Sequence, residues 1–285
     1  MYKKERIYIV VKTYPTISEK YAELVCTAGV REDGSWVRLY PVPFRMLKDK
    51  QKYPKFSWIE VSIERNSKDF RPETYKLDID SIIVEKMSGV VDWEYRKSVI
   101  FNNKEVFTTL KDIKAKAKND KTSLVVFKPS KIVDFIYEEV EREWNQKKVA
   151  ALKTMAQQLD FFLTPEEVTK QLNFARKLPY KFSYIFEDDC GVKATLMVED
   201  WEIGMLYWNC LKQAKNKERE ALEKVKQKYL GDFAKKDLYF FMGTTKANHY
   251  RSKNPFIIIG VFPAKHKKIE PQISMFEYLD KKETN

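Results

Sequence analysis

The chain has 285 residues, 44% hydrophobic and 14% aromatic, with 53 Lys and Arg against 41 Asp and Glu for a formal charge of +12. So much apolar material excludes a disordered chain, and the length suits two ordinary domains or one large one. The positive balance points to polyanionic partners, nucleic acid ahead of anionic lipid, because rings stack on bases while cations meet phosphates.

Met1 to Arg6 precedes only a short apolar run, Ile7 to Val11, too short for an export signal or a membrane span. The run reads as a strand ending at Tyr14-Pro15. Ala22 to Val30 and Trp36 to Tyr40 read as the next two strands, the latter stopped by Pro41 and Pro43. Between them Asp33-Gly34 signals a tight turn, because Gly accepts positive φ. Phe56 to Ile63 is a fourth strand, with Ile79 to Glu85 and Ser123 to Phe127 as further candidates. Short strands so spaced predict a small barrel over residues 1–128, with Trp36 and Trp58 in its core. Lys111, Lys114, Lys116, Lys118 and Lys121 read as a mobile, solvated loop, the alternative being a nonspecific, salt-dependent phosphate contact.

From Ser130 the period turns helical, with Ile132, Val133, Phe135, Ile136 and Val140 on one face, giving a helical connector over 129–178. A second helix there starts at Thr164-Pro165 with Glu167 three after the cap. Residues 179–264 form a second β unit. It has strands Phe182–Phe186 and Ala194–Val198 around the turn Asp188-Asp189-Cys190-Gly191. One long helix runs from Asp200 to Tyr229 and stops at Gly231. Strands Leu238–Met242 and Pro255–Phe262 follow, joined by a polar loop with Lys246, His249, Arg251 and Lys253. Residues 265–285 are expected to be a flexible tail.

Cys26-Thr27-Ala28-Gly29-Val30, then Gly34-Ser35-Trp36-Val37-Arg38, then Tyr40-Pro41, resembles the opening of the dual OB-fold domains of bacteria. In those domains a Cys-x-Ala-Gly strand meets a Gly-x-Trp-(Ile/Val)-Arg strand across a turn. The resemblance covers residues 7–65, and here Leu39 separates Arg38 from Tyr40-Pro41, where the others have Arg-Pro directly. It implies a nucleic-acid-binding barrel of the kind found in mobile-element and phage-defence proteins, not an enzyme. The expected fold is α+β, with two small barrel-like (OB-like) units, a helical connector and the tail.

Arg38, Arg45, Lys48, Lys50, Lys52 and Lys55 alternate with Tyr40, Phe44, Tyr53, Phe56 and Trp58, a pattern that would suit a groove tracking a polynucleotide. The candidate nucleic-acid contacts are Arg38, Tyr40, Arg45, Lys48, Lys50, Lys52, Tyr53 and Lys55, joined by Arg71 from the polar loop 65–74. In the tail, Gln272, Ile273, Ser274, Met275 and Phe276, followed by Tyr278 and Leu279, resemble the peptides that dock on DNA sliding clamps. These seven are the candidate partner contacts.

Two histidines, His249 and His266, and three dispersed cysteines, Cys26, Cys190 and Cys210, cannot build a structural zinc site, and they fit a reducing cytoplasm. No catalytic residue, metal or cofactor is assigned. Glu187, Asp188, Asp189, Glu199, Asp200 and Glu202 gather around one hairpin, the alternative being a magnesium-dependent nuclease. Turn and cap chemistry accounts for most of them. A protein-only adaptor is the third class. Gly243-Thr244-Thr245-Lys246 matches only a fragment of a phosphate loop.

Overall fold

A computed structural model describes residues 1–18, 22–86, 92–159 and 174–266. The helix expected from Thr164 and the clamp-type peptide 272–279 lie outside these residues.

The first unit contains β1 (Lys3–Lys12), β2 (Thr16–Ser18), β3 (Ala22–Val30), β4 (Trp36–Val42), β5 (Trp58–Arg65), β6 (Thr74–Leu77) and β7 (Ile83–Val84). The first half of β1 pairs antiparallel with β5, from Lys3 opposite Ile63 to Tyr8 opposite Trp58. Its second half pairs with β3, from Tyr8 opposite Val30 to Lys12 opposite Thr27. β3 pairs antiparallel with β4, β4 parallel with β6 and β6 antiparallel with β5, which closes a five-stranded barrel. β4 continues through the cis Tyr40–Pro41 bond to Val42, beyond the stop expected at Pro41.

Strand alternation sorts the side chains. Ile7, Ile9, Val37, Leu39, Ile59 and Val61 fill the barrel, joined by Phe44 and Tyr53 from the loops. Tyr8, Val10, Ala28, Val30 and Trp58 point outward yet are equally buried. Trp58 therefore lies outside the barrel core where the sequence placed it, sharing the outer face with its register partner Tyr8. Trp36, paired with Val30, packs against the same outer cluster.

What covers that face is the second unit. It contains α1 (Trp93–Ile100), β8 (Val106–Phe107), α2 (Leu110–Lys118), β9 (Leu124–Phe127), β10 (Lys131–Glu139), α3 (Gln146–Leu159), β11 (Tyr180–Glu187) and β12 (Lys193–Met197). It continues with α4 (Trp201–Gln213), α5 (Glu218–Lys226), β13 (Asp237–Thr244) and β14 (Phe256–Ala264). Four strands run in the order β14-β13-β9-β8 and three in the order β10-β11-β12, with a parallel bridge from Val198 to Ile258. Leu124, Val126, Phe241, Ile259 and Phe262 of the four-stranded sheet meet the outer face of the barrel. The opposite face, with Phe127, Phe240 and Met242, packs on β10–β12 and on α4 and α5. The fold is mixed α+β, with a closed five-stranded barrel and five α-helices among the described residues.

Three local expectations are corrected. Residues 131–139 form a strand, not a helix: β-branched and aromatic residues dominate Ile132 to Tyr137, and Phe135 is buried against Phe182 and Tyr184. The lysines of 111–118 lie on a helix, because Leu110, Ile113 and Ala117 recur at helical spacing and Thr109 caps the start by accepting from Asp112 N. The single long helix divides into α4 and α5, because Lys215 and Asn216 take φ of 50° and 65°. The chain then passes through a π-helical turn, 227–233, that contains Gly231.

β3 crosses β1 closely at Gly29, where a Cβ would lie 2.5 Å from both the Ile7 side chain and the Tyr8 carbonyl oxygen. Gly29→Ala is expected to cost about 1–3 kcal/mol through overpacking, read as a lower urea midpoint with an unchanged slope.

Candidate nucleic-acid interface

Two polar loops, one from each unit, meet at the edge of the seam. The first, between β5 and β6, is held by Asn66, whose Oδ1 accepts from Lys68 N and whose Nδ2 donates to Tyr40 O. Asp69 Oδ1 accepts from Arg71 N and Nε, and Asp69 Oδ2 accepts from Arg71 Nη2 at 2.6 Å. The paired guanidinium crosses to the second unit and donates to Thr244 O at 2.6 Å. Burial pushes the Asp69 carboxyl up, but the hydrogen bonds and charge of Arg71 outweigh it and hold the group below its ordinary value.

The second loop, between β13 and β14, is anchored by the buried His249. Its Nδ1 lies 2.8 Å from Thr244 Oγ1 and its Nε2 lies 3.2 Å from Asp120 Oδ1. Lys246 Nζ reaches back to Lys68 O at 2.6 Å. These contacts bring Phe70 and Tyr250 together as a stacked pair, 4.6 Å between centroids and 28° between planes. Both are exposed, 41% and 57%. Lys68, Lys246, Arg251 and Lys253 are exposed in the same two loops, and Tyr250 Oη donates to Asp120 Oδ1 at 2.9 Å.

Beneath the loops lies a cleft of about 280 Å³ between the units, lined by Cys26, Arg38, Tyr40 and Arg71 on one side and Glu199, Thr244, Thr245 and Lys246 on the other. Arg38 faces it from β4 because Val37 and Leu39 take the barrel-facing positions. It is 1% exposed and donates to Ser123 O at 3.0 Å, Ser123 Oγ at 2.5 Å and Thr74 Oγ1 at 3.4 Å. Among the described residues no carboxylate lies within ion-pair distance of it. Glu73 accepts from Arg38 N through its backbone oxygen at 2.7 Å, its carboxylate is linked to the guanidinium through Ser123, whose hydroxyl donates to it at 2.6 Å, and the charges of Glu73 and Asp69 act at longer range. Burial, then the like charge of Arg71, pushes the Arg38 guanidinium down to about 10, so it stays charged at neutral pH.

The nine candidate contacts thus divide. Arg38, Tyr40 and Arg71 come together at the cleft. Tyr53 offers no stacking face: its ring is 1% exposed inside the barrel and its hydroxyl lies 3.1 Å from Thr27 Oγ1. Lys55 is buried in an ion pair with Asp200 at 3.2 Å, tying the barrel to the cap of α4. Arg45 pairs with Glu23 at 2.8 Å, Lys48 with Asp80 at 3.5 Å and Lys52 with Asp49 at 2.8 Å, while Lys50 is exposed. Phe44 and Trp58 are buried as well, so rings and cations do not alternate along one groove over residues 38–58. Phe70 and Tyr250 were missed. Their signal was a ring followed directly by an arginine in each polar loop, Phe70-Arg71 and Tyr250-Arg251.

The carboxylates of 187–202 are mostly engaged in holding the fold. Asp188 accepts from Leu110 N, Cys190 N and Val192 N, each at 2.9 Å. Asp200 caps α4 by accepting from Glu202 N and also accepts from Val261 N. Among the described residues no three His, Cys, Asp or Glu side chains gather as a metal site. No described helix is long and apolar enough to cross a membrane, and the three cysteines are free thiols.

The family described as Domain of unknown function (DUF8757) matches residues 106–280, more than half of the chain. The chain belongs to the DUF8757 family. Ahead of that region, Domain of unknown function (DUF8758) matches residues 3–102, so the two matches meet between α1 and β8. No curated protein matches the chain. A solved structure titled as a murine DNA-binding protein bound with double-stranded DNA aligns with 91% of this DUF8757 member and 93% of that chain, at 10% identity and a TM-score of 0.32. So weak a likeness carries no argument about fold or function.

Asp69→Asn would leave the Arg71 guanidinium buried without its counter-charge, a loss of about 3–5 kcal/mol. Because the folded-state carboxyl is depressed, this contribution is present above the ordinary carboxylate value of 3.8 and is lost as pH falls through the folded one. Denaturation of wild type and variant is expected to differ most near neutral pH and to converge in acid.

Proposed function

We propose that the protein is a non-catalytic nucleic-acid-binding protein that takes a single strand across the junction of its two units. Bases stack on Phe70 and Tyr250, and phosphates lie against Lys68, Lys246, Arg251 and Lys253. The observation that carries this reading is the exposed stacked ring pair, assembled from two loops distant in sequence that also expose those cations. Rings offered to solvent beside cations suit unpaired bases, whose faces are free. The five-stranded barrel supports it, since OB-fold barrels of five strands bind oligonucleotides, and so does the charge of +12. The setting is DNA metabolism in replication, mobile-element or phage-defence contexts, with the tail peptide Gln272 to Leu279 docking on a sliding clamp.

Phe70→Ala and Tyr250→Ala are each expected to weaken binding of a fluorescent single-stranded oligonucleotide by about 1–3 kcal/mol. Lys246→Glu is expected to flatten the dependence of log affinity on log salt. An unchanged affinity in the double alanine variant would remove the stacking pair from the reading. For the tail, the full chain is expected to retain a ring-shaped clamp in a pull-down, whereas a chain ending at Lys268 loses it; equal recovery by both would remove clamp docking.

A further inference from the structure

The cleft below the ring pair adjoins the surface that carries the proposed strand and shares Lys246 with it. We infer that it receives the terminal nucleotide of that strand, its phosphate monoester held by Arg38 and Lys246, an inference that rests on the single-strand reading. The cleft's volume, about 280 Å³, lies at the lower edge of small-molecule sites, which run from about 300 to 1,000 Å³. One nucleotide is the scale of ligand it admits, not a length of strand. Its floor is formed by interior residues, among them Arg38, Arg71 and Thr244, each 5% exposed or less. An internal nucleotide needs chain leaving in two directions, and a terminal one needs a single exit.

The chemistry is arranged to match. Arg38 uses three N–H···O bonds on Ser123 and Thr74, out of five donors that a guanidinium carries. Glu73 and Asp69 offset its charge only from beyond ion-pair distance, so a buried guanidinium placed this way gains from an anion that meets it directly. Lys246 spends one N–H on Lys68 O and has two more to offer. Both cations favour a phosphate, and a monoester presents three terminal oxygens at a charge of about −1.5 to −2. Arg71, already bidentate on Asp69, frames the pocket without adding free charge. At the other end Glu199 sits between two backbone links, accepting from Tyr14 N at 3.0 Å and donating its own N–H to Ile258 O at 2.8 Å. Burial raises its carboxyl above the ordinary value. It offers a polar group to a base edge among the apolar walls Leu24, Ile257 and Ile259.

The test is an anisotropy measurement on the full chain with one single-stranded sequence in four forms: 5′-phosphorylated, 3′-phosphorylated, hydroxyl at both ends, and covalently circular. A terminal-phosphate form is expected to bind about tenfold or more tighter than the circle, the worth of one charged hydrogen bond, and which end it is names the polarity. Arg38→Lys and the exposed Lys246→Ala are expected to bring that ratio towards one. Equal binding of all four forms overturns the terminal-nucleotide inference and leaves the single-strand reading intact. Binding of none of them overturns both.

Discussion

The fold depends on one strand being buried on both faces. Ile7 and Ile9 close the barrel core, and Tyr8 and Val10 close the seam with the second unit. At the bulge between Ile9 and Val11 the alternation breaks, and Val11 joins Val10 on the seam side, where it approaches Gly260 of β14. All five residues from Ile7 to Val11 are fully buried, each contributing about 1.5–3 kcal/mol relative to an exposed side chain. Closing the barrel and docking the second unit are thus carried by the same ten residues of chain.

That docking creates the site. The Arg71–Thr244 and Lys246–Lys68 contacts exist only because the seam sets the two loops side by side. Arg38 lies where the outer face of β4 meets the second sheet, close enough to Gly243 that a Cβ there would stand 3.2 Å from its Nη2. Gly29 lets β3 approach β1, Gly34 turns the hairpin at a φ of 83°, and Arg38 sits opposite Ala28.

Much of the first unit was legible because its signals were local. Strand runs and the Asp33-Gly34 turn, like the Asp200 cap in the second unit, each report on a few neighbouring residues. The error at Ile132 to Val140 came from a run whose apolar positions fit either period, and pairing with β11 decided for the strand. The lysines of α2 hid three buried residues at helical spacing. Trp58, Tyr53 and Lys55 needed knowledge of what covers each face, and composition cannot supply it. Alternation alone separates Arg38 from Val37 and Leu39, but not whether its outward side meets water or a second sheet. Phe70 and Tyr250 come from opposite ends of the chain, so their partnership is a product of tertiary structure.

The double burial of β1 also bears on how such chains can be rearranged. The boundary between the two family matches falls near residue 104, which invites treating the halves as interchangeable cassettes. Severed there, the barrel would keep α1, whose Tyr95 meets Tyr8 and Trp58, but would lose Leu124, Val126, Phe241, Ile259 and Phe262 of the second sheet and so bare much of the apolar face they share with Val10, Ala28 and Val30. A transplanted first half therefore needs either its native mate or a repainted exterior to remain dispersed in solution.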